Sequence, residues 1–527
     1  MPPEMPIYLS GTMIPADTLH DLKTLAQSFH PLITLETVEE ERVEALLQRA
    51  AAELRVPIFE WSVTRGLHRV TPAATPSRLA PAGDRTAAVG SALTNIHGTA
   101  DALGVLRHIE TLSVTALFHL KDFSPHVNSA AVVRAFRDVV RRFSTTHSTV
   151  IVTGEQIRLP EELVSIAVPV HLSLPSESEI TEMMRTLARS LRARDRVKVS
   201  LSADDERVVA RTLSGLTLNQ ARQALAYAAL DDGELTVKDI ATLQRRKAEV
   251  VRETGLLEYF PVEDNTHELG GFARLKEWLD RAEAGFSDDA RALNLPAPRG
   301  VLIAGVQGCG KSLAAKVIAR TWHLPLLKLD AGRLYDKYIG ESEKNLRHAL
   351  SLAESMAPVL LWIDEIEKSF STSGSEIDGG VSRRLLGMFL TWLQEHRAPV
   401  FVVAVANDVF SLPPELLRKG RFDEVFFVDL PAHLEREAIF RIHLSRRRQD
   451  VARFDLAALA AATEGFSGAE IEQMVVSALY RALHQKTQLD TPALLDEARG
   501  TVPLSVSRRE DLDHLRALAR ERFVPVH

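Results

Sequence analysis

Short apolar runs of strand length recur along this chain, separated by longer segments whose apolar residues repeat at helical spacing. Leu32-Ile33-Thr34-Leu35 reads as a buried strand, and after it Val43, Leu46, Leu47 and Ala50 mark one face of a helix running to about Leu54. Pro57–Trp61, Val114–Leu120, Thr149–Gly154 and Val168–Leu174 read as further strands, with a helix over Val127–Phe143. Thr71–Gly98 is rich in Ala, Pro, Ser and Gly and reads as a long loop. From Ser176 to about Ile240 the pattern is helical, and Gln244–Phe260 reads as a connecting helix whose Arg245-Arg246-Lys247 run forms a solvated face. The second half repeats the alternation: strands at Val301–Ala304, Leu326–Leu329, Val359–Ile363 and Phe401–Ala406, with a helix over Leu313–Trp322. Strands alternating with helices predict a mainly parallel α/β sheet, here twice over.

The halves also echo each other in detail. Gly215-Leu216-Thr217 opens an Ala-rich helix as Gly465-Phe466-Ser467 opens Gly468–Leu483, and Leu174-Pro175 with Glu179 matches Leu430-Pro431 with Glu435. The expected organisation is an α/β module at 1–240, a connecting helix at 241–260, an α/β core at 261–430 and a helical lid at 431–527.

Composition narrows the class. At 527 residues, 45% hydrophobic and 25% charged, the chain has enough material for several buried cores. A net charge of −7 gives no nucleic-acid or anionic-membrane signal. A single cysteine excludes an intramolecular disulfide and fits a reducing compartment. The N-terminus lacks the pattern of a signal peptide, and the longest apolar runs are too short to span a bilayer, so the expected location is cytoplasmic.

The candidate chemistry centres on Gly305-Val306-Gln307-Gly308-Cys309-Gly310-Lys311-Ser312, set between a strand and the helix beginning near Leu313. That is the context of a phosphate-binding P-loop: glycines let backbone N–H groups turn around an anion, and the helix N-terminus adds its own. Lys311 would reach the β/γ-phosphates of ATP and the Ser312 hydroxyl would hold Mg²⁺. Downstream, Val359–Ile363 ends in Asp364-Glu365, the pattern of a Walker B strand. Asp364 would help hold Mg²⁺ through its waters, and Glu365 would orient and deprotonate the attacking water. Asn407, at the end of the next strand, offers a carboxamide to the γ-phosphate or the water.

With these motifs, and with Leu269-Gly270-Gly271, Tyr338-Ile339-Gly340-Glu341-Ser342-Glu343, Gly420-Arg421-Phe422-Asp423 and Gly465-Phe466-Ser467-Gly468-Ala469, the chain from about Glu268 onward resembles the classical clade of AAA+ ATPases. Its layout is most similar to two-module members of plastid and bacterial origin in which a degenerate module precedes an active one. The resemblance implies that Asn407 is sensor 1, that Arg418 and Arg421 are arginine fingers acting on a neighbouring subunit, and that Tyr338 and Ile339 form a pore loop gripping a polypeptide. It implies nucleotide contacts at Gly270, His443, Gly468 and Ala469 beside those of Gly305, Gly308, Cys309, Gly310, Lys311, Ser312 and Leu313. It also implies a homo-hexameric ring with an unidentified protein substrate.

The first module departs from this pattern. Where a glycine loop would follow its first strand stands Glu36-Thr37-Val38-Glu39-Glu40, which would repel a triphosphate. This acidic stretch is either a solvated helix N-terminus or a face for a basic partner. In Leu117–Asp122, Lys121 takes the place of the Mg²⁺-organising aspartate, and Glu155 falls near sensor 1, so no hydrolysis is expected there. No His-Glu-x-x-His occurs, which removes a fused zinc protease of the AAA type. Two functions stay open: an ATP-driven remodeller of proteins, and a nucleotide-controlled binding switch with slow turnover.

Overall fold

The structure, a computed structural model, describes residues 16–70, 95–193, 197–253, 255–261, 270–286, 288–330, 334, 341–370, 380–418 and 420–526. Tyr338 and Ile339 and residues 71–94 and 371–379 lie outside the described residues. The chain divides into two units, Met1–Leu243 and Gln244–His527.

The first unit holds β1 (Leu32–Glu36), β2 (Ile58–Ser62), β3 (Gly66–Arg69), β4 (Leu117–Lys121), β5 (Thr149–Gly154) and β6 (Val168–Val170) in the order β3-β2-β4-β5-β1-β6. All neighbours are parallel except β3, which folds back on β2. One face of the sheet buries Trp61, Phe118, Leu120 and Val152, and the other packs Ile33, Leu35 and Ile151 under Val43, Leu46 and Leu47. The Ser176–Ile240 segment is mostly helical, but it also contains a two-residue ladder of β7 (Lys198–Val199) and β8 (Glu234–Leu235).

The second unit holds β9 (Leu257–Phe260), β10 (Gly300–Gly305), β11 (Leu326–Leu329), β12 (Val359–Ile363), β13 (Val400–Ala406), β14 (Glu424–Val428) and β15 (Val524–Pro525), in the order β15-β14-β10-β13-β12-β11-β9. Every residue of β10, β12 and β13 is buried, as apolar runs in the middle of a parallel sheet require. The five-strand order β14-β10-β13-β12-β11 repeats the β6-β1-β5-β4-β2 order of the first unit, so the sequence echo has a structural counterpart. After β14 come the helices His433–Arg446, Leu456–Ala462, Gly468–Gln485, Thr491–Gly500, the short Leu504–Ser507 and Arg509–Arg522, the first four of them sharing a core of Phe440, Leu444, Leu459, Ile471, Met474 and Leu494.

Two expected boundaries are corrected. The connecting helix ends at Glu253, and Leu257–Phe260 forms strand β9 antiparallel to β11, pairing Leu257 with Leu329 and Phe260 with Leu326. Its alternation of buried and half-buried residues is a strand pattern too short to stand out beside the helix. The helical lid does not run to the C-terminus either, because Val524–Pro525 returns to the sheet beside Phe426 and Phe427.

The basic run of the connecting helix is not wholly solvated. Lys247 is buried with its amine 5.1 Å from the centre of the Tyr259 ring, and burial pushes its pKa from 10.5 down to about 7. A lowered folded value means that between about pH 7 and 10.5 the unfolded chain binds a proton the folded chain does not, so stability rises with pH across that window. Lys247→Met should stabilise the protein at pH 6 by more than about 1 kcal/mol and change it far less at pH 10. Denaturant titrations at the two pH values check this, and equal effects at both would contradict it.

Candidate nucleotide site

Gly305 closes β10 at φ +138°, where a Cβ would come within 2.1 Å of the Val428 carbonyl oxygen, so only glycine fits. Gly308 and Gly310 follow at φ +78° and +86°, and the helix Lys311–Thr321 begins directly after them. Lys311 is buried and its Nζ donates to the carbonyls of Gly305 and Val306, both at 2.8 Å. Burial lowers this amine to about 8. Ser312 Oγ donates to Asp364 Oδ1 at 3.1 Å, tying the loop to the end of β12. Cys309 is buried, and desolvation pushes its thiol up to about 12, which leaves it inert at neutral pH.

Glu365 adopts the left-handed region at φ +48°, uncommon for a side chain of this size. Its Oε1 accepts a 3.4 Å bond from Asn407 Nδ2, and its Oε2 pairs with Lys368 at 2.8 Å.

One cleft of about 440 Å³ gathers Gly270, Gly308, Cys309, Gly310, Lys311, Ser312, Leu313, Asn407, His443, Gly468 and Ala469. Gly305 stands behind it as acceptor for Lys311, Asp364 joins through Ser312 and Glu365 through Asn407. Arg418 and Arg421 do not line it; Arg418 is exposed, and Arg421 Nη1 is buried with no hydrogen-bond partner among the described residues. The loop and the lid meet directly, with Ala469 N donating to Gly308 O at 2.9 Å. His443 is flanked by Arg447 Nη1 at 3.3 Å and Glu472 Oε1 at 3.5 Å, and burial lowers its pKa.

The sequence reading missed Phe272, Lys316, Trp362, Ile439, Ile442, Arg446 and Glu472 in the cleft wall. Ile439, Ile442, His443 and Arg446 are spaced i, i+3, i+4, i+7 on the His433–Arg446 helix, so the stripe around His443 was available as a signal.

The donors fit the groups the motif implies. Ser312 and Asp364 supply oxygen ligands, side by side, of the hard type Mg²⁺ takes while keeping waters. The glycine turn, the buried ammonium and the helix N-terminus suit a polyphosphate. The cleft is large enough for a nucleotide.

The equivalent place in the first unit is charge-inverted. Leu120 pairs with Val152 and Lys121 with Thr153, while Ile363 pairs with Ala404, and Asp122 and Glu365 share φ +48° one and two residues further on. This register sets Lys121 opposite Asp364, Asp122 opposite Glu365 and Glu155 opposite Asn407. Lys121 Nζ bonds Glu40 at 3.0 Å, Glu60 at 3.2 Å and also Glu44; burial pulls its pKa down, but the carboxylates outweigh it and hold the amine above its usual value. The acidic stretch is therefore solvated only in part: Glu36 and Glu40 are exposed, while Glu40 also reaches Lys121. Glu39 turns inward to Arg42 at 2.9 Å and accepts from Leu218 N at 2.8 Å. Arg42 also forks onto Glu179 at 3.0 and 3.2 Å, and both side chains are buried.

Residues 301–430 match the AAA family, ATPases associated with various cellular activities, and 453–496 match the AAA+ lid domain. Residues 18–172 match the N-terminal domain of SpoVK-like AAA ATPases and 178–254 the second domain of the same group. An AAA domain-containing protein, ycf46, of Trieres chinensis is 36% identical over 489 residues, 92% of this chain and 93% of that protein. The chain belongs to the ycf46 family of AAA ATPases. Within this AAA family, the ycf46 protein of Guillardia theta is 34% identical over 516 residues, 97% of each chain. The ATP-dependent zinc metalloprotease FtsH 3 of Sphaerobacter thermophilus is 35% identical over 268 residues, 49% of this chain and 53% of its own. Among the described residues no helix is long and apolar enough to cross a membrane.

Proposed function

We propose that the second unit binds MgATP in the cleft and hydrolyses it, and that hydrolysis drives remodelling of a protein partner by a ring of six copies. The observation carrying this is the meeting of loop, strand end and lid: Lys311, Ser312–Asp364, Glu365–Asn407 and Gly308–Ala469 around one cleft at the carboxyl edge of β10, β12 and β13. Lys311 leaves its loop carbonyls to hold the β/γ-phosphates, and Ser312 with Asp364 holds Mg²⁺. Mg²⁺, when bound, neutralises charge on the phosphate oxygens. Glu365 takes the proton of the attacking water, and Asn407 aligns that water and the γ-phosphate. Gly270, Leu313 and His443 take the nucleoside end, and Gly468 and Ala469 connect it to the lid.

Arg418 and Arg421, away from their own cleft, serve a neighbouring copy. Changing both to Ala should lower turnover by at least about 10³-fold while leaving nucleotide affinity unchanged. Mixing that variant with Lys311→Ala, which is silent alone, should restore measurable turnover: one copy brings an intact cleft and the other the arginines. No recovery in the mixture would place the arginines in cis or outside the chemistry. For the partner, the full chain carrying Glu365→Gln should retain one set of cell proteins only when ATP is present. A nucleotide-independent set would contradict both this reading and the nucleotide-controlled switch; between those two, Tyr338→Ala should abolish processing of the retained protein by a remodeller and leave a switch unaffected.

A further inference from the structure

Glu367 is a buried carboxylate that the chemistry above does not use. It lies in the short helix Ile366–Ser369 and is 4% exposed. Its Oε1 accepts the backbone N–H of Asn407 at 3.1 Å and of Asp408 at 3.3 Å. Its Oε2 is buried with no hydrogen-bond partner among the described residues. Desolvation raises its pKa, and the two N–H donors work against that rise.

These contacts sit at one junction. β13 ends at Ala406, so Asn407 and Asp408 are the first residues beyond the sheet, where a parallel strand stops supplying partners for its N–H groups. Glu367 supplies one, from a helix that Glu365 immediately precedes. Glu365 and Asn407 are thus connected twice, by the 3.4 Å contact between their side chains and through the Glu367 carboxylate.

The silent first unit makes the same junction differently. The register that matches Asp122 with Glu365 matches Ser124 with Glu367. Ser124 Oγ donates to Arg158 O and accepts from Arg158 N, both at 2.7 Å, and so grips the chain three residues past Glu155. The position clamps the post-strand loop in both units, but only in the second does it reach the residue at the strand end.

We infer that Glu367 is a positioning residue for hydrolysis: it fixes the backbone of Asn407 so that the carboxamide and Glu365 face the same water. This rests on the ATPase reading above. The general base and sensor then form one body, and displacement of either costs rate rather than binding, because near-attack geometry is needed only for the chemical step.

The test compares Glu367→Ala, Glu367→Gln and Glu367→Asp in the full chain. Ala should lower kcat about 100-fold, the scale of an ångström-sized misplacement. KM and the affinity for a fluorescent ATP analogue should stay within about threefold. Gln keeps an acceptor oxygen at the same reach and should restore kcat to within about tenfold of the parent, whereas Asp keeps the charge but falls short and should resemble Ala. Hydrogen exchange over residues 401–412 should speed at least about tenfold in Ala and not in Gln. Unchanged exchange in Ala, an Asp variant faster than Gln, or affinity falling in step with kcat would overturn the inference. If Ala does not fold, the order of Gln and Asp decides. If the parent protein itself shows no ATP turnover, the ATPase reading fails, while exchange in the variants still judges Glu367.

Discussion

Glu365→Gln should lower ATP turnover by about 10²–10⁴-fold and leave nucleotide binding intact. Glutamine has the shape of glutamate and keeps an oxygen for the 3.4 Å contact with Asn407. It lacks the basic lone pair that, on the proposed role, takes the proton of water. Binding survives because the cleft is lined by Lys311, Ser312 and the lid, and Glu365 is absent from that lining. Phosphate release measured beside titration of a fluorescent nucleotide separates the two effects. Turnover at the parent rate would remove Glu365 from its assigned role; loss of binding would make it a holding group.

Arg42→Ala costs the first unit about 3–5 kcal/mol, the usual loss when one member of a buried ion cluster is removed. Glu179 has 3% of its side chain exposed and Glu39 8%, so both would be left as carboxylates with little water and without their cation. Replacing Arg42 and Glu179 together by leucine should cost less than the sum of the single changes, since the pair vanishes along with its desolvation. Denaturation of the parent, the two single variants and the double variant measures this. A loss below about 1 kcal/mol for Arg42→Ala would mean that water reaches the carboxylates.

Much of the second unit was legible because its signals are local. Val359–Ile363 and Phe401–Ala406 are uninterrupted apolar runs, and all of their residues are buried. Gly305, Gly308 and Gly310 each take a backbone conformation glycine is suited to, so their spacing announced the loop. The substitution of Lys121 for an acidic residue could be read, because it needed only alignment with a strand. What that lysine does could not: its partners Glu40, Glu44 and Glu60 come from another helix and strand. The same holds for Arg42 and Glu179, which lie 137 positions apart. β9 and β15 escaped because edge strands of four and two residues are made by the neighbours they pair with rather than by their own sequence.

The return of the chain at Val524 has a mechanical consequence. The lid departs from β14 at Val428 and ends in β15, whose Val524 pairs with Phe426 of that same strand. Arg516 grips Asp429, just past the departure point, with bonds of 2.8 to 3.0 Å. A body tethered twice to one line has little freedom to slide and one axis left to swing about. If nucleotide moves the lid, these two tethers would favour a rotation about the edge of the sheet, as a door turns on two knuckles.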